Sequence, residues 1–209
     1  MDDAGTGTGT GTGRTLVWDL GGVVLHWEPI QLVREAIGRS LTDLALFGDF
    51  APGGFWSEFD RGVIGVDEVA VHMAAGAGIP VEEARQVLDA VPTHLSLRED
   101  TVSLIKRTGA AGHRSVYLSN MPGAYSDHLD TVLAPVFDEG VFSCRLHLVK
   151  PDPEIFAVAV RLLDLDPARL LFLDDREDNV EAARAAGWPA MLFRDAASCA
   201  DDLSAAGWL

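Results

Sequence analysis

Short runs of consecutive apolar residues recur along the chain and predict buried strands. The first spans residues 16–20, and similar runs follow at 115–119, 170–174 and 190–193, with a weaker run at 141–142. Short apolar runs bounded by turn residues are typical of strands that are buried on both faces of a parallel sheet.

Helical periodicity separates these runs. Residues 153–163 place their apolar side chains on one face, with Asp152 as the N-cap and Pro153 at the first helical position. Residues 179–186 are rich in alanine and end at Gly187, a helix stop signal. Because strands that alternate with helices are joined by right-handed crossovers, the pattern predicts an α/β fold with a Rossmann-like, doubly wound parallel sheet.

The segment 27–97 carries no strand pattern of this kind. Amphipathic stretches at 30–37, 66–75 and 81–91 are separated by Gly/Pro breaks. This pattern predicts a small α-helical cap inserted after the first strand.

The first residues alternate glycine and threonine and contain no large apolar side chain that could anchor them. Because glycine loses the most conformational entropy on ordering, we expect a disordered tail over residues 1–13. The remaining residues, 14–26 and 98–209, then form the α/β core around the cap at 27–97.

Composition and charge exclude several classes of protein. Apolar residues make up 48% of the chain, enough for a sizeable core, and the net charge of −16 argues against binding to nucleic acid or anionic lipid. No apolar run is long enough to cross a membrane, two cysteines cannot form a disulfide framework, and the first residues resemble no secretory leader. We expect a cytoplasmic monomer or weak homodimer that acts on a small molecule.

Polar residues follow three of the predicted strands. Asp19 lies in the first run, Ser119 and Asn120 follow the second, and the pair Asp174 and Asp175 follows another. Ligands of open parallel sheets bind beyond the carboxyl ends of the strands. Adjacent carboxylates repel each other unless a cation lies between them, and oxygen ligands suit Mg²⁺.

Each of these residues alone has a structural interpretation, as a turn residue, a helix cap or a surface side chain. Lys150, which precedes a predicted helix, would alone be read as a surface lysine. Their joint occurrence in this order, at strand ends and a helix start, favours a functional site.

Four segments together resemble the motifs of the haloacid dehalogenase-like hydrolase superfamily. They are WDLGGV at 18–23, LSN at 118–120, VKPDPEIF at 149–156 and FLDDREDNV at 172–180. The chain is most similar to the subgroup with a small helical cap after the first motif. That subgroup includes bacterial α-D-glucose-1-phosphate phosphatase and the N-terminal phosphatase domain of soluble epoxide hydrolase.

The resemblance implies a nucleophile and a metal site. Asp19 would attack phosphorus and form an aspartyl phosphate that water then hydrolyses. Mg²⁺ would be held by Asp19, the backbone carbonyl of Gly21 and Asp175, with Asp174 beside them as a further ligand or a partner of the ligands.

The resemblance also implies residues that contact the substrate. Ser119 and Lys150 would bind the oxygens of the transferring phosphate, with Asn120 beside them. Asn179 would line the site as a hydrogen-bonding residue.

One position departs from the pattern of the family. Phosphatases of this superfamily usually carry a second Asp two residues after the nucleophile, as general acid and base, and here that position is Gly21. His26 is a candidate substitute, although a structural role is the more common one for such a histidine. The run from Phe55 to Arg61 falls where cap loops could meet the site, and we interpret its aromatic residues as cap core.

Three functions are compatible with these residues. The leading hypothesis is a Mg²⁺-dependent phosphatase of a small, sugar-phosphate-like metabolite. The second is a 2-haloacid dehalogenase, which needs no metal and would leave the Asp174–Asp175 pair unexplained. The third is a domain that binds phosphorylated ligands or a protein partner with little turnover.

Overall fold

The computed structural model describes residues 13–41, 46–48 and 53–209, so the predicted tail, apart from Gly13, lies outside the described residues. Five parallel strands form one sheet in the order β3-β2-β1-β4-β5. The strands are β1 (Thr15–Trp18), β2 (Arg114–Ser119), β3 (Gly140–Phe142), β4 (Leu170–Asp174) and β5 (Ala190–Leu192). The predicted parallel sheet is confirmed.

Helices connect the strands. Between β1 and β2, the helices with described bounds begin with α1 (Pro29–Ile37), α2 (Phe55–Asp60), α3 (Val66–Ala77) and α4 (Val81–His94). The helices that follow are α5 (Glu99–Ala110), α6 (Gly123–Leu133), α7 (Pro153–Leu162), α8 (Glu177–Ala185) and α9 (Ala196–Ala205). Single turns of 3₁₀-helix lie at Ser143–Arg145 and Pro167–Arg169.

Both faces of the sheet are covered by helices. Val17 of β1 lies between Val116 and Phe172 of its neighbours, and these side chains pack against α7 and α8. The next residue of each strand points to the opposite face, where α1 and α3–α6 pack together with α9. This arrangement is the doubly wound fold that the sequence predicts.

Local signals set the ends of the two helices that flank the strand ends. The side chain of Asp152 accepts a hydrogen bond of 2.9 Å from the backbone of Glu154, which caps α7 as predicted. Helix α8 begins at Glu177, two residues before the predicted start at 179. The acidic residues Glu177 and Asp178 are favourable there because the first turn of a helix attracts negative charge.

The core of the segment from α1 to α4 is continuous with one face of the sheet. Buried residues of this segment, such as Val69 and Val87, belong to the same apolar cluster as Trp18 and Leu173 of the sheet. Apolar contact therefore fixes the segment against the sheet. None of the described helices is long and apolar enough to span a bilayer.

Substitution of Phe156 tests the packing of the core on the opposite face of the sheet from this segment. Its ring is fully buried and meets the rings of Phe172 and Trp188 edge to face, at 5.8 and 5.3 Å. We expect Phe156→Ala to lower the free energy of unfolding by about 3–5 kcal/mol, because a cavity replaces the ring. Leu162→Ala on the same helix, where the side chain is 57% exposed, should change it by less than about 0.5 kcal/mol. Equal effects of the two variants in urea denaturation would contradict this packing.

Candidate active site

The polar residues predicted from the strand ends meet at one edge of the sheet. Asp19 directly follows β1, Ser119 ends β2 and Asp174 ends β4. The backbone N–H of Asp19 donates to the carbonyl of Leu173 at 2.8 Å, which ties the ends of β1 and β4 together. A cavity of about 310 Å³ opens at this edge, and Asp19, Ser119 and Asp175 contribute to its lining.

Lys150 lies between two carboxylates. Its ammonium Nζ is 2.7 Å from Asp19 Oδ1 and 2.6 Å from Asp174 Oδ2, and all three side chains are buried. Burial lowers the pKa of Lys150, but the charges of Asp174 and Asp19 and their hydrogen bonds raise it above its ordinary value. The ammonium therefore stays protonated and holds both carboxylates in place.

The carboxylates outnumber this one ammonium. Oxygens of Asp19, Asp174 and Asp175 all lie within 4.8 Å of one another. Burial raises the pKa of Asp19 to about 7; Lys150 opposes this shift, and the charges of Asp174 and Asp175 add to it. Burial, followed by the charge of Asp174, raises the pKa of Asp175 to about 6. Such a set of hard oxygen donors with excess negative charge fits Mg²⁺.

Backbone geometry lets Asp175 approach the loop after β1. Gly22 has a φ of +75°, and a Cβ built at this residue would lie 2.2 Å from Asp175 Oδ2. Gly21 differs, because a Cβ there would meet only the Trp27 side chain, at the ordinary contact distance of 3.9 Å. Gly21 also lines the cavity.

Two asparagines hold the charged residues. The amide of Asn120 donates to the carbonyl of Lys150 at 2.9 Å and accepts from its backbone N–H at 2.8 Å. Both of these side-chain bonds go to the backbone of Lys150, and Asn120 also lines the cavity, so contact between Asn120 and phosphate stays a prediction. Asn179 Nδ2 donates to both carboxylate oxygens of Asp174, at 3.0 and 3.1 Å.

Of the two remaining predicted residues, Ser119 lies at the cavity and His26 does not. Ser119 is 1% exposed, and its hydroxyl donates to the carbonyl of Asn120 at 3.3 Å beside the cavity. His26 is exposed, and its backbone N–H donates to the carbonyl of Ser96. The cavity lining does not include His26, so the structure does not bring it to the site.

Helix α2 carries aromatic residues that the sequence predicts as cap core. Trp56 and Phe59 are both buried in the apolar core, and Trp56 also lines the cavity together with Asp60. Burial, and next the charge of Asp19, hold the pKa of Asp60 well above its usual range. In the sequence, the available signal for Asp60 was an acidic residue that directly follows an aromatic run. An aspartate that is buried with such a run is often paired or functional.

Similar proteins include hydrolases of phosphate esters. A sesquiterpene phosphatase of Aspergillus oryzae is 27% identical over 89% of this chain and 93% of its own. Flavin mononucleotide hydrolase 1 of Arabidopsis thaliana is 29% identical over 73% of this chain, which spans 62% of that relative.

Solved structures share the fold. A HAD family enzyme from Bacteroides thetaiotaomicron, in complex with magnesium and inorganic phosphate, has a TM-score of 0.65 and is 19% identical over 87% of this chain and 94% of its own. The L-2-haloacid dehalogenase of Xanthobacter autotrophicus, at a TM-score of 0.65 and 16% identity over 94% of this chain and 84% of its own, shares it as well.

A model of the haloacid dehalogenase-like hydrolase family matches residues 14–187, which include all of the strand-end residues described above. The chain therefore belongs to the haloacid dehalogenase-like hydrolases.

Proposed function

We propose that this hydrolase is a Mg²⁺-dependent phosphatase that acts on a small phosphorylated metabolite through an aspartyl phosphate at Asp19. The observation that carries the proposal is the environment of Asp19. A buried ammonium binds one of its oxygens, and Asp174 and Asp175 supply further ligands for a cation beside it. The similarity to a phosphatase and to a flavin mononucleotide hydrolase adds support.

Asp19, the backbone carbonyl of Gly21 and Asp175 would hold Mg²⁺, with Asp174 adjacent. The bound ion would neutralise the repulsion between the anionic nucleophile and the anionic phosphate. A haloacid dehalogenase has no use for such a cation, which is why the acidic cluster favours phosphate chemistry.

The nucleophile is oriented by Lys150. Because Nζ binds Oδ1 of Asp19, the second oxygen, Oδ2, is the one that attacks phosphorus. The phosphorus–oxygen bond to the organic group breaks, and the leaving oxygen takes a proton. Water then attacks the phosphorus of the aspartyl phosphate, which releases inorganic phosphate and restores the carboxylate, and a proton of this water returns to the group that protonated the leaving oxygen. Ser119 and Lys150 stabilise the phosphate oxygens during both steps.

Asp60 is the proposed proton donor to the leaving oxygen. It lines the same cavity as Asp19, and burial holds its pKa well above the usual range, which favours the protonated form that a proton donor needs. Asp60 would replace the acid that the family usually carries at the position of Gly21. Its location on α2 gives the segment 27–97 a second task besides covering the site as a cap.

Substitution of the nucleophile tests the reaction class. We expect Asp19→Asn to lower phosphate release by about 10⁴-fold or more, because no other side chain replaces the attacking oxygen. The measurement is release of inorganic phosphate from a panel of phosphate esters, with circular dichroism as the check on folding. Retained activity, or chloride release from 2-chloropropionate in the presence of EDTA, would contradict the proposal.

Metal binding can be measured without turnover, through the unfolding temperature of the protein. We expect saturating Mg²⁺ to raise the unfolding temperature, since at about 100 times Kd a ligand stabilises the folded state by about 2.7 kcal/mol. Asp175→Asn should abolish the rise, whereas Asp201→Asn, an exposed residue of α9, should leave it unchanged. Because the pKa values of Asp19 and Asp175 are raised to about 7 and about 6, protons compete with the metal and its affinity should fall below neutral pH. An equal rise in both variants would refute this site.

The proton donor is tested through the leaving group. We expect Asp60→Asn to lower kcat/KM for alkyl phosphates by about 10²-fold or more, and to affect p-nitrophenyl phosphate far less, because p-nitrophenolate leaves without a proton. Gly21→Asp in the same background should recover part of the loss, since a Cβ at Gly21 meets no close neighbour. Equal losses for both substrates would show that Asp60 does not donate the proton.

A further inference from the structure

The cavity wall beyond the carboxylate cluster is largely apolar. Its main surfaces are the side chains of Trp27, Trp56, Val91, Leu95, Met121 and Tyr125. Trp27 and Trp56 lie with their ring centroids 6.1 Å apart, and Trp56 is braced by Phe47 at 4.7 Å. These rings form a stiff wall that favours an apolar group.

Few hydrogen-bonding side chains remain in this part of the wall. The hydroxyl of Tyr125 already donates to the carbonyl of Leu88 at 3.2 Å, and the amide of Asn120 is engaged by Lys150. Ser57 and Asp60 are the other polar side chains that α2 contributes to the lining. A sugar carries several hydroxyl groups, and burying them against this wall would leave some of them unpaired, which is unfavourable.

The charges in the cavity match a single phosphate. Among the described lining residues, the cationic side chains are Lys150 and Arg176. Lys150 is bound by Asp19 and Asp174, and the guanidinium of Arg176 forms two hydrogen bonds with Asp178, at 3.0 and 2.6 Å. Among the lining residues that the structure describes, the apolar part of the wall therefore has no cation for a second anionic group.

We propose that the substrate is the phosphate monoester of an apolar alcohol, with the hydrocarbon chain held against the Trp27–Trp56 wall. This inference rests on the proposed phosphatase function and replaces the sugar-phosphate-like substrate that the sequence predicted. The volume of about 310 Å³ lies near the lower end of ligand cavities, so the preference for longer chains ends once the cavity is filled.

Two series of ligands separate this inference from the proposed function. The first is phosphate release from n-alkyl phosphates of increasing length, from acetyl phosphate and from hexose phosphates, with Mg²⁺. The second is calorimetric binding of n-alkylphosphonates, which cannot be hydrolysed, to the same Mg²⁺-loaded protein. We expect kcat/KM and affinity to rise about fourfold with each added methylene until the cavity is filled. Binding should also show a negative heat-capacity change.

The outcomes distinguish the two proposals. Release from acetyl phosphate with no dependence on chain length, or with a preference for hexose phosphates, would overturn the apolar substrate and leave the phosphatase standing. Chain-length-dependent binding of phosphonates without release from any ester would support recognition of the chain and overturn the phosphatase. No release together with no dependence of binding on length would overturn both.

A variant of the wall gives an independent check. Met121→Gln keeps the length of the side chain but places an amide in the wall. We expect the ratio of affinities for octylphosphonate and ethylphosphonate to fall by about tenfold. Met191→Gln in β5, where the side chain is half-buried and lies outside the cavity lining, is the matched control and should keep the wild-type ratio. An unchanged ratio in correctly folded Met121→Gln would refute contact between the chain and this wall.

Discussion

The buried ammonium of Lys150 between Asp19 and Asp174 is the interaction on which the site depends. Buried charges are tolerated only when they are paired and hydrogen-bonded, so these three groups fix one another's positions. The pairing is incomplete, because Asp175 adds a further carboxylate within 4.8 Å. Burial, together with this excess of negative charge, raises the pKa of Asp19, and the excess charge favours binding of a cation. In the proposed mechanism, orientation of the nucleophile and affinity for a metal would thus have one electrostatic origin.

Support for this arrangement comes from elements outside the charged cluster. Asn120, after β2, holds the backbone of Lys150, and Asn179 of α8 holds the carboxylate of Asp174. Gly22 leaves the space that Asp175 occupies. Each charged group is therefore positioned before any substrate arrives, and preorganised groups of this kind stabilise developing charge without the cost of reorganisation. The conformation of the loop after β1 is part of this preorganisation.

The sequence predicts the polar residues at the edge of the sheet better than it predicts the residues that line the rest of the cavity. Apolar runs ending in polar residues identify Asp19, Ser119 and Asp174, because parallel strands bring their carboxyl ends together. Amphipathic periodicity identifies the buried face of a helix but not its neighbour, so the approach of Asp60 to Asp19 could not be predicted. For His26, the sequence suggests a place in the site that the structure does not give it. It is close to Asp19 in sequence, yet the tight turn in which Val24 and Leu25 both donate to the carbonyl of Leu20 precedes an exposed position.

Electrostatics alone would not account for the binding of the proposed phosphate substrate. The net charge of −16 repels a phosphate at long range, although salt screens this field beyond about 8 Å at physiological ionic strength. Within that distance Lys150 is already balanced by two carboxylates, so attraction for phosphate would depend on the added charge of the proposed cation. The remaining binding energy would then come from the organic part of the proposed substrate. Against a wall built around Trp27 and Trp56, that energy would be greatest for an apolar organic part.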